Sequence, residues 1–323
     1  MRFLLPLCNQ RWRLVQELLH TAELWAPDYM PVIMVDRRVP LIERHAESRN
    51  SVFLQVYHEL RGEKAHFRWN KRKYGQWWEV KFVGEGIIDQ GGGFRDSLAE
   101  LVDELCPPEE RIPEILPYLI RTPNHKEKTG DFLDCFIPNP SCDTLHLFHW
   151  LGVLMGGAYR SDESLTLAFP PFVWKLIVGE HVTWAKDYVA IDEAAVHITG
   201  ELEVQDEASY LSSYGNECTF STVLSDGRRV ELLPGGEGRV VRSEERQEYT
   251  SLVRKARMTE FTKQVQAIRE GLMSVIPESV LCLLTWTNLA RGVCGDREIS
   301  VAQLKSACKC FPLVIIDKLL RFI

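Results

Sequence analysis

The sequence predicts an α+β protein, mostly helical, with a small β-rich subdomain inserted in a larger helical body. Three observations carry this. Apolar residues recur at helical spacing over long stretches near both ends of the chain. A short segment at 77–83 alternates instead, as a half-buried strand does. From Glu201 to Arg242 the pattern breaks into short alternating runs, interrupted by Ser225-Asp226-Gly227 and Pro234-Gly235-Gly236. Helical, then β-rich, then helical is the order expected of a subdomain set into a helical body.

The elements follow in chain order. Residues 11–25 place Leu14, Val15, Leu18, Leu19, Ala22 and Trp25 on one stripe, so an amphipathic helix is expected. Residues 50–60 repeat the pattern with Val52, Phe53, Val56, Tyr57 and Leu60. The strand Trp77–Val83 is closed by Gly84. After the glycines at 91–93 a helix should run from about Phe94 to Leu105, where Pro107-Pro108 stops it. Residues 120–140 are polar and irregular, ending in Ile137-Pro138-Asn139-Pro140. Asp143–Tyr159 reads as a helix whose Gly152, Gly156, Gly157 and Ala158 let another element approach closely. Beyond the β-rich insert, one long helix is expected from about Glu245, with Tyr249, Leu252, Val253, Ala256, Phe261, Val265, Ile268 and Leu272 in period.

With 323 residues the chain has room for two domains at roughly 150 residues each. Its 45% hydrophobic and 26% charged residues are ordinary for a soluble globular protein with a sizeable core. A net charge of −7 argues against a general nucleic-acid binder, which is normally basic. The nine cysteines are scattered and odd in number, without the regular spacing of a disulfide scaffold. Reduced thiols and a cytoplasmic location are expected. The opening Met1–Cys8 has too short an apolar run for a signal peptide, and no stretch approaches the ~20 apolar residues of a membrane span.

Candidate chemistry is sparse. Cys142, His146 and His149 share a helical face, with Cys135 nearby, and zinc accepts such ligands. Neither a Cys-x-x-Cys nor a His-Glu-x-x-His frame is present, so a half-buried helix is the expectation and no metal is assigned. No Gly-Lys-Ser/Thr follows the glycines at 91–93, which leaves a tight turn rather than a phosphate loop. No Gly-x-Ser-x-Gly elbow is found. His66–Tyr74 interleaves cations and aromatics but is short, and a solvated connector is expected there. Cys308 and Cys310 read as structural or incidental. No cofactor is indicated, and the residues alone describe a scaffold without an active site.

Several motifs in order resemble one family. Trp78-Glu79-Val80-Lys81-Phe82-Val83-Gly84-Glu85-Gly86 leads to Asp89-Gln90-Gly91-Gly92-Gly93-Phe94-Arg95-Asp96. Pro138-Asn139-Pro140-Ser141, Phe148-x-x-x-Gly152-x-x-x-Gly156-x-Ala158 and Glu231-Leu232-Leu233-Pro234-Gly235-Gly236 follow. Gln264-x-x-Ala267-x-x-x-Gly271-Leu272, Pro277 and Val293-Cys294-Gly295 complete the series. The pattern is similar to the N-terminal lobe of the HECT-type ubiquitin-protein ligases, from roughly residue 32 to 308.

The resemblance implies a fold and a partner. Residues 1–31 would form a helical lead-in, 32–308 the lobe, about 195–249 the small subdomain that docks a ubiquitin-conjugating enzyme charged with ubiquitin, and 309–323 a divergent apolar tail. Tyr249 falls where the family presents an aromatic residue to that enzyme; Phe220 and Leu232 share the subdomain and fit either its docking face or its core. Asp89 and Arg95 are expected to pin a helix to a strand. The family passes ubiquitin through a cysteine thioester to substrate lysines. That cysteine belongs to a further lobe, which the likeness does not reach, so no catalytic residue is assigned. Ser141-Cys142-Asp143-Thr144-Leu145-His146-Leu147 imitates its motif but lacks the following proline. Asn288 stands where the family usually has an acid. The resemblance thus implies a docking lobe of a ubiquitin ligase, or else a non-catalytic binding module or an inactive truncated fragment.

Overall fold

The computed structural model describes residues 7–21, 31–37, 51–62, 67–68, 76–84, 92–108, 116–161, 163–214 and 217–295. It is an α+β protein dominated by helices, with three separate two-stranded sheets among the described residues.

The first helix, α1 (Leu7–His20), precedes a parallel pair in which β1 (Val32–Val35) runs beside β2 (Glu79–Phe82), Val32 opposite Glu79. Alternation in β2 buries Val80 and Phe82 and leaves Lys81 out, as read from the sequence. Two helices cover this pair: α2 (Val52–Leu60) and α3 (Gly92–Leu105). The Ser51 hydroxyl accepts from Leu54 N–H at the start of α2. The remaining free donors there, Val52 and Phe53 N–H, are taken by the Glu104 carboxylate of α3 at 2.8 and 2.9 Å. Behind them Trp77, Trp78, Phe94 and Phe67 stack edge to face, and the Trp78 indole N–H reaches Ser97 Oγ at 3.2 Å.

The centre of the body is the crossing of α5 (Leu145–Ser161) with α10 (Thr262–Val275). The inner face of α5 is apolar almost all round, as befits a helix buried on several sides. A Cβ on Gly152 would overlap the Ile268 carbonyl oxygen, and one on Gly271 the His149 carbonyl oxygen, so both glycines are required for the approach. Around this crossing pack α6 (Pro171–Val178) and α12 (Trp286–Cys294), with the short α11 (Glu278–Leu281) before it.

Four sequence expectations need correction. Residues 120–140 hold an antiparallel pair, β3 (Leu119–Arg121) and β4 (Phe136–Pro138), around α4 (Pro123–Glu127). Phe136 and Ile137 are buried there, while the polar residues between form the surface connection. The insert is less β-rich than its punctuation suggests. Residues 193–213 form α7 (Glu193–Val204) and α8 (Glu207–Ser213), capped by the Asp192 and Asp206 carboxylates. Only β5 (Ser221–Val223) and β6 (Arg229–Glu231) form a hairpin. Finally, the long helix after Glu245 is two helices, α9 (Arg246–Thr259) and α10. Phe261 breaks the spiral (φ −119°, ψ 28°) and turns its buried ring against Phe172. Of the stripe expected at 11–25, Ala22 and Trp25 lie outside the described residues, as does Asp89. Arg95 instead forms a two-bonded pair with Glu163, at 3.1 and 2.9 Å.

Candidate docking subdomain

The small subdomain gathers α7, α8, the β5–β6 hairpin and the first turns of α9. It is organised by aromatic side chains rather than by a broad aliphatic core. Tyr210 donates to the Val241 carbonyl at 2.8 Å, and the Arg246 guanidinium lies over its ring at 5.2 Å. Arg246 also donates to the Leu202 and Gln205 carbonyls, the exposed end of α7. Those acceptors have no helical partner, so a cation at that helix end suits both the hydrogen bonding and the helix dipole.

The three residues proposed from sequence to bind a partner occupy different depths. Tyr249 is half-buried on α9, its hydroxyl donating to Ser221 O at 3.3 Å. Its ring meets Phe220 edge to face, centroids 6.0 Å apart. Phe220 is 0% exposed, under the Arg239 guanidinium at 4.6 Å. That overturns a direct contact for Phe220: its ring fills the subdomain and supports Tyr249 from below. The Phe220 backbone oxygen would also meet any Cβ on Gly236, which explains the small residue in the Pro-Gly-Gly turn. Leu232 is half-buried and donates its N–H to Phe220 O at 2.8 Å. Two exposed apolar residues of the subdomain were not singled out from the sequence. Val204 is 83% exposed at the end of α7, and Leu211 is 54% exposed on α8. Their signal was apolar residues off the buried stripe, hidden because 201–213 was read as part of the β-rich insert.

The subdomain joins the body through a buried polar node. Arg257, near the end of α9, donates to Asp192 Oδ2 at 2.7 Å, Val223 O at 2.8 Å and the Tyr188 hydroxyl at 3.1 Å. Glu260 accepts from Ser225 N–H at 2.9 Å, Ser225 Oγ at 2.6 Å and Tyr188 at 3.1 Å. Burial works against the Arg257 charge, but Tyr188, Glu260 and Asp192 more than offset it and keep the guanidinium protonated.

A nucleophilic thiol needs exposure and a lowered pKa. Burial pushes Cys106 up to about 12, and burial also raises Cys218. Cys142, the imitation of a catalytic motif, is buried with its Sγ 3.0 Å from Thr144 Oγ1. Cys282 is exposed, and Cys308 and Cys310 lie outside the described residues. Cys135, Cys142, His146 and His149 are not gathered: among the described residues no cluster of His, Cys, Asp or Glu is arranged to hold a metal. His146 sits against the Tyr57 ring instead. Of the cationic segment 66–74, Phe67 is buried and Arg68 donates to the Ser274 carbonyl, so both serve packing. Asn288 is exposed in the first turn of α12, its N–H accepted by Thr285 Oγ1, so an acid at that position would favour the helix N-terminus. No helix among the described residues is long and apolar enough to cross a membrane.

The described residues thus form a helical body with a small appended subdomain. Residues 103–313 match the model of the HECT-domain (ubiquitin-transferase), and the chain belongs to that family. It is 34% identical over 233 residues to the E3 ubiquitin-protein ligase HERC2 of Mus musculus, covering 71% of this chain and 5% of that protein. To the E3 ubiquitin-protein ligase HUWE1 of Mus musculus it is 28% identical over 265 residues, 80% of this chain and 6% of the relative. The probable E3 ubiquitin-protein ligase HECTD2 of Mus musculus is 26% identical over 241 residues, 70% of this chain and 30% of the relative. The chain thus spans only a small part of the curated relatives it matches.

Proposed function

We propose that this chain supplies the surface on which a ubiquitin-conjugating enzyme, charged with ubiquitin, docks during HECT-type ubiquitin transfer to the lysines of a protein substrate. The observation that carries this is the exposure of Val204 and Leu211 on the small subdomain, beside an aromatic cluster that ends in half-buried Tyr249. Apolar side chains on short, capped helices lose little entropy on binding, and an aromatic residue backed by a buried ring is a common anchor. None of the described cysteines accepts ubiquitin in this reading, and the transfer thiol is contributed from elsewhere. Reduced cysteines suit a cytoplasmic setting.

The test is an incubation of the folded chain with ubiquitin-charged conjugating enzymes, read by calorimetry and by a non-reducing gel. Binding is expected, weakened about tenfold or more by Leu211→Asp or Tyr249→Ala, with no thiol-sensitive adduct on this chain. An adduct abolished by Cys282→Ser would transfer the catalytic role to this lobe. Binding untouched by both surface substitutions would move the docking face away from α8 and α9.

A further inference from the structure

The small subdomain enters from the body at Asp192 and returns at Glu260, and both carboxylates meet Arg257. With only two crossings, the orientation of the subdomain depends on the contacts it makes with the body beside them. The hairpin tip supplies something more. Its turn, Leu224–Arg228, is closed by Leu224 N–H to Arg228 O at 2.8 Å, with Gly227 at φ 88°. It does not point into solvent as hairpin tips commonly do. The Ser225 carbonyl accepts from Lys126 Nζ on α4 at 3.1 Å, and Asp226 Oδ2 accepts from Ser141 Oγ, just before α5, at 2.5 Å. Ser225 is also held by Glu260, and Val223 O by Arg257.

The geometry points to a latch: the β5–β6 turn, through Lys126 and Ser141, fixes the orientation of the small subdomain on the body. Its consequence for ubiquitin transfer rests on the docking reading above, since a fixed subdomain aims a docked enzyme in one direction. The division of labour between contacts supports this. The contacts of Arg257, Asp192 and Glu260 are buried, and their loss would damage the fold. The donors Lys126 and Ser141 are solvent-exposed, while Asp226 is nearly buried and also accepts from Arg228 Nε at 2.7 Å, so loss of either donor leaves the turn itself intact. Ser141 is also the place where added negative charge would act, because its partner is a carboxylate.

Orientation is read by single-molecule energy transfer on the full chain, with dyes on noncanonical residues introduced at the exposed Glu270 of α10 and Ser212 of α8. Lys126→Ala with Asp226→Ala should widen the distance distribution about two-fold, as should Ser141→Glu alone, while the thermal midpoint moves by only a few degrees. An unchanged, narrow distribution in both would overturn the latch. Should the double variant fail to fold, Lys126→Ala decides by the same readout, since it removes only a surface amine. Affinity for the charged conjugating enzyme, measured in parallel, is expected to stay the same. Absence of binding in the unsubstituted chain would refute the docking surface and leave the latch to be judged by distance alone.

Discussion

Where α5 crosses α10 in the body, backbone lies almost on backbone, and Gly152 and Gly271 are the only residues that fit. Where the small subdomain meets the body, the contact is a guanidinium, two carboxylates, a phenol and a hairpin tip. The first joint is made by apolar area and close packing, which is non-directional and has one tight solution. The second is made by directional hydrogen bonds that have a definite angle and can be released one at a time. Exposed aliphatic side chains occur on both sides of this joint: Val204 and Leu211 on the subdomain, and Val32, Met34, Leu133 and Leu145 on the body.

The comparison can be broken most severely at the polar joint. Arg257→Met leaves Asp192 and Glu260 buried without their cation, and should cost about 3–5 kcal/mol, measured by urea unfolding. A cost below about 1 kcal/mol would mean that water or rearrangement satisfies the node. The apolar joint comes next. Gly152→Ala or Gly271→Ala must push the two helices apart, with an expected loss of about 3 kcal/mol. Gly238→Ala, in open space within the subdomain, should change stability by less than about 0.5 kcal/mol.

A third effect belongs to the body alone and depends on pH. Burial raises Glu104 to about 7, ahead of the opposing Phe53 and Val52 N–H bonds, with Glu100 adding to the rise. The folded state therefore holds this proton more tightly than the unfolded chain, whose carboxyl titrates near 4.5. Stability from this group is complete below the unfolded value and is lost as pH rises through the folded one. The difference is on the order of 2–3 kcal/mol between acid and neutral pH. Unfolding measured across that range should show the decline in the natural chain and a flatter curve in Glu104→Gln. Parallel curves would place the proton elsewhere. The smallest effect sharpens the docking reading: Val204→Ser should move stability by no more than about 0.5 kcal/mol while weakening binding of the conjugating enzyme.

Legibility followed the strength of the local signal. The helices at 52–60, 92–105 and 145–161 and the strand at 79–82 were each within a few residues of their sequence reading. Their apolar periodicity coincides with burial. Three features were not legible. The apolar run Phe172–Val178 has no polar face to betray its period, since α6 is buried on most sides. In 193–213, exposed Val204 and Leu211 blur the stripe that would have marked two helices. The break at Phe261 is silent in sequence, because the apolar period continues through it. Of the residues proposed from sequence to bind a partner, Tyr249 is half-buried and Phe220 is fully buried. An aromatic residue in an alternating run carries no mark of which face is inside when the sheet has only two strands.

By itself the sequence determined the fold class, the order of the main elements and the family, because these rest on spacing along the chain and on motifs read in order. Tertiary structure alone decided what lies between elements. It turned Arg95 toward Glu163, buried Phe220 beneath Arg239, split the last long helix and carried the tip of the β5–β6 hairpin to Lys126 and Ser141. Arg95 and Glu163, Lys126 and Ser225, and Ser141 and Asp226 stand about 70 to 100 positions apart in the chain. Periodicity reports only the nearest few residues, so side chains that meet across such separations leave no trace in local pattern.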